Sequence, residues 1–219
     1  MKTFSIITIF PDSLKTYLAE SIIARAVKQK KVGFSFYNPR DFTNDKHHQV
    51  DDRPYGGGPG MVLKAEPILK ATEKAVGRKS KVKKVIFSPS GRQFTNQLAS
   101  RWLKQYDHFV LISGHYEGVD ERVKKALKAE VISIGPYILT GGELPALIVI
   151  DTLCRQIDGV LGKPESLEEK RIASSEVYTR PETIKYKGRD FHVPKVLLSG
   201  HRAKIEAWRR QRRSGDKKV

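Results

Sequence analysis

Two glycine-bearing stretches hold the residue types from which a small-molecule site could be built. SGHYEGVDER (113–122) follows the apolar run FVLIS, and SIGPYILTGGELPA (133–146) opens on the end of another, VISIG. Glycine costs chain entropy unless a tight turn or a close approach needs it, so Thr-Gly-Gly ahead of a helical pattern points to something lying against that backbone. Ligands of parallel sheets bind beyond the carboxyl ends of the strands. Two glycine loops at neighbouring strand ends could therefore wrap one small molecule with main-chain amides and carbonyls. The bland reading of the first stretch is an ordinary strand-to-helix turn with Asp120 as helix cap. A third stretch, DDRPYGGGPGM (51–61), puts four glycines into five positions behind two carboxylates and an arginine, and it reads equally well as a flexible surface loop.

Other chemistries are disfavoured. None of the three stretches matches GxxxxGK[ST] or GxGxxG, so neither familiar phosphate cradle is supported. Cys154 falls within the helical pattern LPALIVIDTLCRQI and reads as core rather than nucleophile. As the single cysteine it also excludes an internal disulfide and a multi-thiolate metal site. His47 and His48 adjoin Asp51 and Asp52, but adjacent histidines cannot share one helix face, so a solvated loop is preferred to a metal site.

The elements that must hold these loops alternate. Strand patterns at 3–10, 32–37, 85–89, 109–113 and 131–135 are interleaved with helical patterns at 13–30, 64–76, 94–105, 120–128 and 143–156. That alternation predicts an α/β domain with a mainly parallel sheet, within reach of 219 residues. From about residue 162 the polar segment KPESLEEKRIASSE reads as a linker, and a basic tail with the helical pattern HRAKIEAWRRQRR follows. Lys+Arg 41 against Asp+Glu 24, a formal charge of +17, favours a polyanionic partner. Nucleic acid is preferred to membrane, because no apolar run approaches the roughly 18 residues of a spanning helix. MKTFSIITIF reads as a first strand rather than a secretory signal, since Pro11 and Asp12 stand where a cleavage site would be. A cytoplasmic protein is expected.

VDDRPYGGGPGM (50–61), SPSGR (88–92), SGHYEGVDERV (113–123), SIGPYILTGGELPALIVID (133–151), RQIDGVLG (155–162), VYTRPE (177–182) and VLLSGHRAKIEAWRR (196–210) occur in this order. Together they resemble the bacterial tRNA (guanine-N1)-methyltransferase family over nearly the whole chain. The resemblance implies a SPOUT-class α/β fold with a deep trefoil knot, its mainly parallel sheet flanked by helices. It also implies a homodimer with a shared active site, S-adenosylmethionine as methyl donor, and tRNA methylated on the guanosine 3′ of the anticodon. Periodicity could not show a knot, and the general rule that chains do not thread loops argues against one. The implied organisation is a knotted cofactor-binding catalytic domain over 1–161, a linker over 162–176 and a shortened, basic helical tRNA-binding domain over 177–219.

Carried over by matching residues, the cofactor wall is Pro89, Gly114, Tyr116, Glu117, Ile134, Gly135, Tyr137, Ile138, Leu139, Gly141, Gly142 and Pro145. Main-chain groups at 134–139 would read the adenine edge, and Gly141 and Gly142 would permit close approach of the cofactor. Guanine N1 is a poor nucleophile until a base takes its proton, and the charge left behind spreads to O6, so a carboxylate and a cation are the minimum set. The family's cation corresponds to Arg155. Its base is an aspartate in a Glu-Asp-Ser motif of the linker, contributed by the other subunit, and here the chain departs. SLEEKRI (166–172) lies over that motif, with Glu168 and Glu169 for Glu-Asp and Lys170 for the serine. Glu169 is the expected base, with Glu168 and Asp52 as alternatives; the extra methylene shifts its carboxylate by roughly 1 Å, enough to cost about a hundredfold in rate unless the linker adjusts.

Two further departures are Pro136 at a usually acidic position, which removes a main-chain donor, and the end of the chain at Val219, soon after the first basic helix of the usual C-terminal domain. Arg53, Arg180, Arg202, Arg209, Arg210, Arg212 and Arg213 are candidates to neutralise tRNA phosphates, with Trp208 as a support for a base or as helix packing. Magnesium dependence is implied by the resemblance; no metal ligands are assigned. The competing readings are a protein that binds S-adenosylmethionine and RNA with impaired or lost turnover, and an unrelated basic RNA-binding protein.

Overall fold

HFVLI is buried at every position, the mark of a strand covered on both faces. In the computed structural model, which describes residues 1–161 and 176–211, this run is β6 (His108–Ile112). It sits at the middle of a five-stranded sheet with β1 (Lys2–Ile7), β2 (Val32–Tyr37), β5 (Val82–Gln93) and β7 (Glu130–Ser133). The order is β2-β1-β6-β5-β7, and each neighbouring pair runs parallel.

Parallel neighbours need crossover connections, and helices supply them on both faces. Phe109 and Leu111 point into one core layer with Leu14, Leu18, Trp102 and Val149, which come from α1 (Pro11–Leu18), α4 (Asn96–Gln105) and α6 (Glu143–Arg155). Val110 and Ile112 point the other way, against Ile68, Ala71 and Val123 of α3 (Ala65–Val76) and α5 (Glu121–Leu127). The period-two alternation of a single strand thus builds both layers.

The helical pattern at 13–30 resolves into two helices, α1 and α2 (Ser21–Lys28). Leu14 and Ile23 are nine residues apart, which on one straight helix is about 180° around the axis. The break at 19–20 returns Ile23 and Ala26 to the same core as Leu14 and Leu18. The strand expected at 85–89 is longer, Val82–Gln93, because SPSGR continues it. Both Phe87 and Arg92 pair with Ile132 across an irregularity in register. Residues 50–63 carry a small antiparallel pair, β3 (Asp51–Asp52) with β4 (Val62–Leu63), that closes the glycine-rich loop.

By its contacts the chain divides into two units, 1–161 and 162–219. The described part of the second is not wholly helical: β8 (Thr183–Tyr186) and β9 (Arg189–His192) form an antiparallel hairpin ahead of α7 (Lys195–Leu198) and α8 (Arg202–Gln211). Its turn residues Lys187 and Gly188 have φ of 48° and 73°, the positive pair that a two-residue hairpin turn of primed type requires.

Candidate active site

The loops after β6 and β7 meet. Ser113-Gly114 follow the end of β6, and Tyr116 and Gly118, with φ of 58° and 121°, reverse the chain toward α5. Asp120 caps that helix by accepting from the Arg122 amide. The Arg122 guanidinium, hydrogen-bonded to Asp120, also holds its carboxyl below the usual carboxylate range. β7 ends in a tight turn where Ser133 Oγ accepts from Gly135 N at 3.2 Å and donates to Gly135 O at 3.0 Å. The chain then returns, pairs Gly141 with His115 as an antiparallel bridge, and starts α6 with Gly142 N donating to Gly114 O at 2.8 Å.

Between these loops lies a cavity of about 390 Å³, of cofactor size. Every residue that the resemblance assigns to the cofactor wall lines it, together with His115, Asp120, Glu121, Lys124 and Thr140. Four of these five lie within the two glycine-bearing stretches; Lys124 lies outside both, and no motif in the sequence marks it as part of the wall. The cavity lining combines apolar side chains, among them Pro89, Ile134, Leu139 and Pro145, with the carboxylates of Glu117, Asp120 and Glu121 and the ammonium of Lys124. Such a donor set suits a ligand with a flat heterocycle at one end and a charged amino-acid-like group at the other. His115 Nδ1, on the wall, is buried without a hydrogen-bond partner.

Tyr137 is half exposed and folds back so that its hydroxyl donates to Ile134 O at 3.2 Å. A Cβ on Gly135 would collide with its ring. Packing by itself accounts for glycine at 142: a Cβ there would lie 2.6 Å from Ser113 Cα and 2.8 Å from Gly114 N. At Gly141 it would lie 2.6 Å from His115 Nδ1. Loop-on-loop packing alone demands glycine at 142, where the near atoms are main chain, whereas at 141 they belong to the Glu143 and His115 side chains.

Sequence reasoning also missed the clamp beneath the wall. Thr8, just past β1, donates to Glu143 Oε1 at 2.7 Å, and Glu143 Oε2 lies 3.9 Å from His115 Nδ1. Phe10 meets the His115 ring edge-on at 5.1 Å. The available signal was Glu143 in the first turn of α6, where a carboxylate favours the helix N-terminus.

Other assigned residues stand apart. Arg155 is the last residue of α6, roughly 15 Å along the axis from Pro145 at the cavity. Glu168, Glu169, Lys170, Arg212 and Arg213 lie outside the described residues. Asp52 faces Lys64 at 3.8 Å and is not on the cavity wall. Arg53, Arg180, Arg202, Arg209 and Arg210 are exposed, with Arg202 Nε on Glu206 Oε1 at 3.0 Å. His47 and His48 sit in an exposed turn. Cys154 is buried, and burial with the nearby Asp151 pushes its thiol up to about 12.

A parallel α/β sheet with a cofactor-sized cavity walled by glycine loops beyond two strand ends defines an enzyme of the α/β class that works on a bound small molecule. The model of the family described as tRNA (Guanine-1)-methyltransferase TrmD matches residues 1–218. The tRNA (guanine-N(1)-)-methyltransferase of Carboxydothermus hydrogenoformans is 45% identical over 210 residues, 94% of this chain and 80% of that protein. That of Dictyoglomus turgidum is 45% identical over 218 residues, 96% of this chain and 84% of its own. The relative from Pseudoalteromonas atlantica is 44% identical over 211 residues, with shares of 94% and 78%. The chain belongs to the tRNA (guanine-N1)-methyltransferase family and is an enzyme of that family.

Proposed function

We propose that this enzyme methylates N1 of the guanosine immediately 3′ of the anticodon in tRNA, with S-adenosylmethionine as donor. The observation that carries the reading is the single cavity wall formed by residues 89, 114–117, 134–135, 137–142 and 145. S-adenosylmethionine supplies an electrophilic methyl group on a sulfonium. Main-chain groups at 134–139 bind its flat end, and Glu117 and its neighbours hold the charged end.

Arg155 stabilises negative charge developing on guanine O6, and Glu169 takes the N1 proton. Because Arg155 stands at the far end of α6 from the cavity, a homodimer that brings a second copy's Arg155 and linker over the wall completes the site. The trefoil knot and the cytoplasmic location belong to the same reading. The organisation that goes with it is a catalytic unit over 1–161, a linker over 162–176 and a tRNA-binding unit over 177–219. No helix among the described residues is long and apolar enough to cross a membrane. No group of three His, Cys, Asp or Glu gathers among them to hold a metal ion.

Transfer from labelled S-adenosylmethionine to an unmodified tRNA transcript tests the reading. Methylation of a transcript with guanosine 3′ of the anticodon, and none with adenosine there, is expected. Transfer to neither, with donor binding intact by calorimetry, overturns it in favour of a binding protein without turnover. Glu169→Gln should abolish transfer and keep donor affinity; an unchanged rate moves the base to Glu168 or Asp52.

A further inference from the structure

We propose that Tyr55 is a stacking platform for a base flanking the target guanosine, an inference that rests on the methyltransferase reading above. Its side chain is 100% exposed, so a large aromatic surface stands in water with nothing over it. The ring is nevertheless displayed in a defined way. Gly57 N donates to Pro54 O in the turn that carries it, and the β3–β4 pair closes the loop at its base.

Gly56, Gly57, Gly58 and Gly60 have φ of 87°, 79°, 111° and 83°, conformations that other residues adopt with strain. A Cβ on Gly56, Gly57 or Gly58 would meet nothing within 4 Å. Packing within this chain therefore does not require those glycines to be small, and the space beside the tyrosine is left open.

The loop is stitched to the cavity. Glu117 N donates to Met61 O and Leu63 N to Gly118 O, both at 3.0 Å, and Gly60 packs directly on the Glu117 side chain. Glu117 is on the cavity wall. Five residues of extended chain span at most about 18 Å, which keeps Tyr55 within a few nucleotides of the reacting base. A cation lies close to it in sequence: Arg53, two positions earlier, is exposed. Exposed aromatic rings on basic surfaces hold unstacked bases of single-stranded RNA, the ring taking the base and the cations the phosphates. An anticodon loop offers such bases. The formal charge of +17 favours that partner over an apolar peptide surface.

The test measures binding of full-length wild type, Tyr55→Ala and Tyr55→Phe to an unmodified tRNA transcript and to two versions abasic on one or the other side of the target guanosine. Tyr55→Ala should weaken binding about 10- to 100-fold and Tyr55→Phe should bind as wild type. The salt dependence should be unchanged, since the ring neutralises no phosphate. The loss should vanish on one of the abasic transcripts, as a double-mutant cycle requires for a direct pair.

The proposal is overturned by wild-type affinity of Tyr55→Ala, by a loss that persists on both abasic transcripts, or by equal damage from Tyr55→Phe. Dissociation of Tyr55→Ala into monomers during sedimentation also overturns it, because the ring is then covered by a second copy. Methyl transfer by the wild type is measured in parallel. Tyr55 coupling without transfer overturns the methyltransferase reading alone, whereas no tRNA binding by the wild type overturns both.

Discussion

The amide of Gly142 donates to the carbonyl of Gly114 at 2.8 Å, and this one bond joins the loop after β7 to the loop after β6. The two backbones approach so closely that a Cβ on Gly142 would lie 2.6 Å from Ser113 Cα. Gly142→Ala should therefore cost about 1–3 kcal/mol of stability, as overpacking does, and should also weaken methyl-donor binding. Denaturant unfolding and calorimetry read the two effects; wild-type values in both would show that the loops can part without consequence.

Arg155→Ala should lower kcat by about 10²–10³, the usual loss for one preorganised group facing a developing oxyanion. Donor affinity should stay as in the wild type, because Arg155 does not line the cavity. Arg155→Lys should recover only part of the rate, since an ammonium lacks the planar fork of a guanidinium. A fall in donor affinity equal to the fall in kcat would place the arginine in cofactor binding instead.

Stability should depend on His108. It is buried at the start of β6, with Nδ1 on Thr3 Oγ1 at 2.6 Å. Burial and the neighbouring Lys79 lower its pKa from 6.5 to about 4. The fold thus prefers the neutral ring, and its contribution is complete above the unfolded value of 6.5. Between pH 6.5 and 4 the unfolded chain binds the extra proton, so stability falls as pH falls through that window. Urea midpoints at pH 7 and pH 4.5 should differ more for wild type than for His108→Gln. An equal difference would assign the acid loss to other groups.

Binding of tRNA should weaken steeply with salt, as counterion release requires. Arg209→Gln with Arg210→Gln, both in the exposed last turn of α8, should flatten the plot of log affinity against log salt. The expected change is about 0.7–0.9 in slope for each phosphate that is no longer neutralised. A parallel, displaced line would mean that these arginines act without neutralising phosphates.

Cys154 should be inert. It is buried and its thiol is pushed up to about 12, so thiolate reagents at neutral pH should label it only on unfolding. Cys154→Ala should keep methyl-transfer activity, and a loss of activity at unchanged stability would give the thiol a chemical role.

The sequence by itself determined the layer architecture, because each parallel strand and its crossover helix announces itself through local periodicity. HFVLI, VGFSFY and the run around Val85 read as strands alternating with helical patterns, and the glycine stretches at 113–118 and 141–142 follow two such strands. Periodicity is blind to where a helix must break to keep its face. Ile23 therefore reads as a continuation of the helix holding Leu14, although the shared core requires two helices. It is equally blind to SPSGR, whose turn-like composition conceals the continuation of β5 past Phe87 to Arg92 against Ile132, and to a hairpin turned by Lys187-Gly188. The site was legible as motifs and illegible as an object. Only through-space contact brings Pro89, Glu117, Leu139 and Pro145 to one cavity, ties Thr8 to Glu143, and leaves Arg155 at the other end of α6. Local spacing records which residues share an element, whereas the meeting of elements far apart in sequence depends on packing that only the folded chain decides.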